Sequence, residues 1–275
     1  MGDFIPYFSQ TAAWATHLPG FGMILVMLRR FGPFAHLLQA LLAWGLSAGA
    51  GAAPPFEDSM TQRTLACTAC HGEQGRAGPD GYYPRLAGKP AGYLYHQLLN
   101  FRDGRRHYGL MTRMVDPLSD AYLLEIAQHF SALDLPYPVP APASASPALL
   151  RRGEQLVRQG DAPRGLPACV SCHGTRLTGV APDIPGLVGL PRDYLNAQLG
   201  AWQTQQRRAH PPDCMAQIAL RMDATDVSAV AAWLSSQIVP VPASPAAALP
   251  RFAPGTPRWR CGSAPAVEAA SGGAP

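Results

Sequence analysis

Hydrophobic positions in this chain recur at helical spacing in two separate stretches, and nowhere do they alternate convincingly as a half-buried strand would. In the first stretch a short helix is predicted from Met60 to Cys70, opening on Ser59 as a side-chain N-cap. A middle helix from Pro90 or Ala91 to Phe101 places Leu94 and Leu98 on one face. A third begins at "LSD", Leu118 to Asp120, with Ser119 as its cap, and carries Leu123, Leu124, Ala127 and Phe130. The later stretch repeats the set. Ala148 to Gln159 carries Leu149, Leu150, Leu156 and Val157, the pair Leu195 and Leu199 follows, and a last helix runs from Thr225 or Asp226 through Val227, Val230 and Trp233 to Leu234. Glycine and proline together make up 56 of the 275 residues, well above the roughly 12% of an average chain. The fold class predicted is all-α, with short helices joined by long loops.

The two stretches are copies of one another. "YPRLAGKPAGYLYHQLLNFRDGRR" aligns with "IPGLVGLPRDYLNAQLGAWQTQQRR", matching Cys67 to Cys169, Gly88 to Gly189, Tyr93 to Tyr194, Leu94 to Leu195, Gln97 to Gln198 and Leu98 to Leu199. The repeat divides the chain into a domain at 54–134, a linker at 135–147 and a second domain at 148–238. The linker, "LPYPVPAPASASP", is rich in Pro and Ala and is expected to be extended and fairly stiff. The tail, 239–275, has little to bury and is expected to be disordered or laid along the surface.

Residues 1–53 read as a targeting segment. Arg29-Arg30 precedes "FGPFAHLLQALLAWGL", which holds no charged residue, and the small residues of "SAGAGAA" then suit cleavage near Ala50 to Ala53. An uncleaved anchor is the alternative, although the apolar heart falls short of the roughly 20 residues a span needs. The apolar run before the arginines also admits Met27 as the true start.

Charge adds little. The net value is +4, and basic residues cluster no further than pairs such as Arg105-Arg106 and Arg207-Arg208. No nucleic-acid groove is indicated.

The cysteines change the picture. Four of the six fall in "CTACHG" and "CVSCHG", so that Cys67, Cys70 and His71 in the first copy correspond to Cys169, Cys172 and His173 in the second. C-x-x-C-H is the attachment signature of c-type haem. Two thiols at this spacing reach the two vinyl-derived arms on one porphyrin edge as thioethers, and the adjacent imidazole rises beneath the iron. A four-thiolate zinc site or a redox dithiol would leave both histidines unexplained. Two covalently bound haem c groups are therefore expected. They also account for small helical units whose own cores would be marginal.

For the opposite face of each iron the first copy offers Met111 and Met114, and the second offers Met215 and Met222. Met222 occupies the place of Leu118 and reads as a core residue opening the last helix. Met111 and Met215 are the matching pair, each in a loop with reach enough to wrap the haem and return. Met114 remains the rival in the first copy.

On "CTACHG", "LAGKPAGYLYHQLLNFRDGRR" and "MTRMVDPLSD", with "CVSCHG", "LVGLPRDYLNAQLGAWQ" and "MAQIALRM", the chain resembles the dihaem cytochrome c4 family, two class I cytochrome c domains in tandem, over roughly residues 57–238. The resemblance implies low-spin haems ligated by His71 and Met111 and by His173 and Met215, packed about a pseudo-twofold axis. It implies an electron carrier of the periplasm, soluble or membrane-associated, with a terminal oxidase, a quinol-oxidising complex or a dehydrogenase as redox partner. A subunit of a membrane-bound complex, or a dihaem peroxidase or thiosulfate-oxidising enzyme with an exchangeable axial position, is the alternative. Iron with both axial positions filled changes oxidation state without binding substrate, so no catalytic residue is expected.

Several residues keep two readings. Tyr82, Tyr83, Tyr93 and Tyr95 serve either haem propionates or loop packing. Pro79 and Pro182 either carry a loop past the proximal histidine or make ordinary turns. Arg85, Arg105, Arg106, Arg207 and Arg208 are read first as solvated surface, with propionate neutralisation as the alternative. His96 and His107 are weak competitors as ligands. Cys214 and Cys261 form a disulfide in an oxidising compartment or stay as free thiols.

Overall fold

The computed structural model describes residues 57–142, 144–250 and 259–262, so the leader, its possible start at Met27 and most of the far tail lie outside the described residues. From Asp58 onward the chain forms one compact unit. Its first half contains α1 (Met60–Arg63), α2 (Leu65–His71), α3 (Ala91–Arg102), α4 (Gly109–Val115) and α5 (Asp120–Ser131). Its second half contains α6 (Pro147–Arg158), α7 (Val170–His173), α8 (Arg192–Gln203), α9 (Cys214–Ala219) and α10 (Ala224–Ser235). One antiparallel ribbon, β1 (Gly179–Val180) with β2 (Ile184–Pro185), closes the loop after α7, a pairing too short to show as alternation in the sequence.

The helix starts follow local chemistry. Ser59, Ser119 and Ser146 each accept a hydrogen bond from a backbone N–H in the first turn, and Asp213 and Asp223 do the same for α9 and α10. Such caps contribute about 1 kcal/mol each. The helix expected from Met60 to Cys70 is interrupted at Thr64, whose buried hydroxyl turns back to donate to Met60 O at 2.7 Å. Back-bonding of this kind competes with the helical ladder.

In α5, Leu123, Ala127 and Phe130 of the predicted stripe are buried together with Ile126, while Leu124 is only partly buried; they pack against Leu94, Tyr95 and Leu99 of α3. Full burial of Leu123 and Phe130 is worth about 1.5–3 kcal/mol apiece. In the second half α6 and α10 form the frame. An added Cβ on Gly153 would overlap the Ala229 carbonyl and Trp233 Cβ, so only glycine lets these two helices approach so closely. Asp226 lies near the start of α10, 3% exposed in its side chain, and ties the frame together through Arg152 at 3.0 Å and Arg164 at 2.7 Å.

The linker departs from expectation. Its described residues before Pro147 hold no helix, yet Leu135 and Pro136 accept hydrogen bonds from Arg85, and the Arg85 guanidinium lies 3.9 Å from the Tyr137 ring centroid. Tyr137 also fills the space beside Gly189 of the second half. The segment is therefore a packed bridge instead of a bare spacer. The tail follows the surface reading where it is described, as Ala246 pairs with the Gly179–Ala181 segment.

Candidate haem centres

α2 ends on His71 and α7 on His173, and both imidazoles are buried. His71 Nδ1 lies 2.8 Å from Pro84 O, and His173 Nδ1 lies 2.8 Å from Pro185 O. A carbonyl only accepts, so each Nδ1 carries the hydrogen and each Nε2 is left with a free lone pair. This is the orientation a metal-binding histidine needs. Burial lowers the pKa of both rings, favouring the neutral form, although the carbonyl contact works the other way. The prolines that hold the rings are Pro84 and Pro185. Pro79 and Pro182 do not hold them: Pro182 instead gives its carbonyl to Tyr93 N–H of the first half at 3.1 Å.

Burial raises the pKa of Cys67 and Cys172 and pushes the Cys169 thiol up to about 12. Surroundings this hostile to thiolate suit neutral thioethers and count against a reactive dithiol. Among the described residues no three of His, Cys, Asp and Glu gather as a structural zinc site requires.

Both matching methionines stand on short helices where a loop was expected. Met111 in α4 packs against the first core and Met215 in α9 against the second, whereas Met114 points outward, 42% exposed. Met222, before α10, packs on the second core as its alignment with Leu118 predicted. His107 is exposed, and His96 faces Asp183 Oδ1 at 3.7 Å.

The arginines overturn the surface reading in part. Arg85, Arg106 and Arg207 are buried. Arg106 donates to Gln97 Oε1 at 3.1 Å in its own half, and across the junction to Gln198 Oε1 at 2.7 Å and Tyr194 OH at 3.1 Å. Arg207 mirrors it, donating to Gln198 Oε1 at 2.9 Å, Gln97 Oε1 at 2.9 Å and Tyr93 OH at 3.4 Å. The backbones of Arg106 and Arg207 form an antiparallel bridge, flanked by His107 N–H to Gln206 O and Arg208 N–H to Arg105 O at 2.7 Å each. The two halves thus meet about a local twofold axis through equivalent residues. Tyr93 serves this junction, Tyr95 lies in the first core, and Tyr82 and Tyr83 stack edge to face with ring centroids 4.9 Å apart.

Comparison with known proteins agrees with this arrangement. A thiosulfate dehydrogenase electron acceptor from Thiomonas intermedia is 39% identical over 217 residues, 76% of this chain and 94% of that protein. Cytochrome c4 from Pseudomonas aeruginosa is 31% identical over 201 residues, 72% of this chain and 96% of that one. The chain belongs to the dihaem cytochrome c4 family. The crystal structure of reduced recombinant cytochrome c4 from Pseudomonas stutzeri matches with a TM-score of 0.55 at 31% identity, covering 64% of this chain and 96% of that one. No protein-family model matches the chain.

As a member of the family the chain is a dihaem electron-transfer cytochrome with two covalently bound haem c groups. The residues present fit that cofactor. Each half offers two thiols, a buried imidazole with a free Nε2 and a methionine on the core. The arginine pair fits as well. Neither Arg106 nor Arg207 has a carboxylate partner among the described residues, and burial lowers the Arg207 pKa, with Arg106 adding to the effect. Two buried cations side by side call for an anion, and a haem propionate would supply one. Sequence reasoning paired Tyr93 with Tyr194 and Gln97 with Gln198, but it gave no sign that these pairs build the junction between the halves.

Proposed function

We propose that the chain is a periplasmic relay for single electrons, not an enzyme, and that a thiosulfate-oxidising dehydrogenase is its donor. Two haem domains, at 54–134 and 148–238, hold one haem each. Cys67, Cys70 and His71 with Met111 take the first, and Cys169, Cys172 and His173 with Met215 take the second. When bound, haem iron ligated on both faces supplies reversible one-electron chemistry at an elevated potential, because a thioether favours the ferrous state. The chain's own part is to hold the ligands, exclude water and keep the two halves in register through the arginine bridge.

The carrying observation is the matched placement of Met111 and Met215, each against the core of its half. It supports a reading in which both axial positions are filled and none is open for substrate, whereas a peroxidase or a thiosulfate-oxidising enzyme needs an open one. The choice of donor is supported by the Thiomonas relative, whose name states that role. A built-in subunit of a membrane complex loses support, because the linker and the described tail pack on this chain itself. No helix among the described residues is long and apolar enough to cross a membrane. With 1–53 acting as an export leader, the mature chain begins between 51 and 54.

Stopped-flow absorbance tests the reading. Ferric holoprotein mixed with thiosulfate alone should stay oxidised, and a catalytic amount of thiosulfate dehydrogenase should then reduce both haems. Turnover of thiosulfate by the protein alone would establish an enzyme, and failure of the dehydrogenase to reduce it would remove the proposed donor.

A further inference from the structure

The two halves serve as controls for one another, and they differ in exposure at the methionine helices and ahead of the first cysteine of each pair. In the first half Leu110, beside Met111, is 58% exposed, and Leu65, ahead of Cys67, is 54% exposed. Their equivalents are covered. Cys214, beside Met215, is 8% exposed, and Pro167, ahead of Cys169, is half-buried. Met114 is likewise open where its equivalent, Ile218, packs on the core.

The C-terminal tail covers Cys214. Cys261 is disulfide-bonded to Cys214, the first residue of α9. Gly262 N–H donates to Pro212 O at 2.9 Å, and an added Cβ at Gly262 would overlap the carbonyls of His210 and Pro211. The tail therefore lies flush on the loop that leads into Met215. Trp259 adds a ring 5.5 Å from the Arg221 guanidinium, just beyond α9.

A second part of the tail reaches the other ligand loop. Ala246 N–H donates to Gly179 O at 2.9 Å, and Ala181 N–H donates to Ala246 O at 2.8 Å. Pro242 O accepts from Arg176. These residues belong to the loop and ribbon that end at Pro185, the carbonyl partner of His173. The described tail segments are thus anchored on the loop that follows His173 and on the loop that leads into Met215.

We infer that the described tail residues clasp the second haem crevice: 242–246 restrain the loop that follows His173 and 259–262 restrain the loop into Met215, so that external ligands enter there less readily than at the first crevice. The inference rests on the proposed ligation by Met215. Cys261 and Ala246 act on the iron only through Met215 and the His173 loop, so they are positioning residues. Opening a haem to an external base requires the methionine to swing away, and a covalent bond at the neighbouring residue opposes that motion. The disulfide also restricts the unfolded chain, which is a separate and global effect.

The test is imidazole binding to ferric holoprotein, followed by loss of the long-wavelength thioether-to-iron band and assigned to each haem by its paramagnetically shifted methyl resonances. In the unaltered protein the first haem should bind imidazole at least tenfold more tightly than the second. Cys261→Ser should raise the affinity of the second haem at least tenfold and leave the first unchanged. Ala246→Pro, which removes the N–H donated to Gly179, should shift the same haem in the same direction and provides a second route if the cysteine variant fails to fold. Equal effects on both haems, or none on the second, would overturn the clasp. If Met215 is not a ligand, the second haem shows no thioether band before imidazole is added, which separates failure of the ligand assignment from failure of the clasp.

Discussion

The junction between the halves yields a quantitative prediction. Arg106 and Arg207 share two acceptors, since Gln97 Oε1 and Gln198 Oε1 each receive a hydrogen bond from both guanidinium groups. Replacing Arg207 with Met removes two short hydrogen bonds and the stack on Trp202, whose ring centroid lies 3.9 Å from the guanidinium carbon. Each hydrogen bond from a charged donor is worth about 1.5–3 kcal/mol. Relief of like-charge repulsion and of cation burial offsets part of the loss. Each glutamine oxygen also keeps one donor, so the net cost should be about 2 kcal/mol. Arg106→Met should cost a similar amount. In the double variant both half-buried oxygens lose every arginine donor, which adds about 1 kcal/mol each. The double substitution should therefore exceed the sum of the singles by about 2 kcal/mol. Guanidinium chloride unfolding of the four holoproteins, followed by far-ultraviolet circular dichroism, completes the cycle. Additivity, or a double variant milder than the sum, would refute the shared-acceptor account.

Asp226→Asn should destabilise the second half by about 1–2 kcal/mol, since it removes one carboxylate from Arg152 and Arg164 and leaves both paired with Asp161. Burial would raise this carboxyl, but Arg164 and Arg152 outweigh it and hold it below the usual range. Its contribution is therefore present above the ordinary aspartate pKa and fades as pH falls through the folded value, so the variant should lack that part of the acid transition in pH-dependent melting. Lys89 is buried, its amino group no nearer than 3.5 Å to Gly186 O, and burial, with Arg85 beside it, brings its pKa from 10.5 to about 8. Between those values the unfolded chain binds more protons, so stability should rise with pH across that window. Lys89→Met should abolish the rise and add roughly 3 kcal/mol at neutral pH. A loss of stability in that variant would show that the ammonium has an anionic partner. Gly153→Ala should lower the melting temperature of the second half by several degrees, because the new methyl group meets the backbone of α10; an unchanged melting temperature would contradict the close crossing.

Much of this was legible in the sequence, because the informative signals were local. Ser119 before an acidic residue and a run of Leu123, Ala127 and Phe130 specified α5 to within a residue or two. C-x-x-C-H named the cofactor, and the internal alignment favoured Met111 while keeping Met114 as its rival. What stayed hidden depends on contacts distant in the chain. Nothing near Arg106 announces that Gln198 and Tyr194 receive its hydrogen bonds, so a buried cation reads as a surface one. Tyr137, in a run of prolines, gives no sign that it lies under Arg85. The pairing of Cys214 with Cys261 was one of two open readings, because sequence separation alone does not place two thiols together. The methionine segments read as loops since helices of six or seven residues carry too few positions to show a period.

The central claim is that each half holds one haem between a histidine and its matching methionine. The most direct measurement is the long-wavelength thioether-to-iron band of ferric holoprotein, normalised to haem by the pyridine haemochrome assay, in Met111→Ala, Met215→Ala and Met114→Ala. The account predicts two haems per chain in all three proteins, loss of half the band in the first two, and an unchanged band in the third. A full band in Met111→Ala or Met215→Ala, or loss of half of it in Met114→Ala, would contradict the ligand assignment on which the electron-relay reading rests.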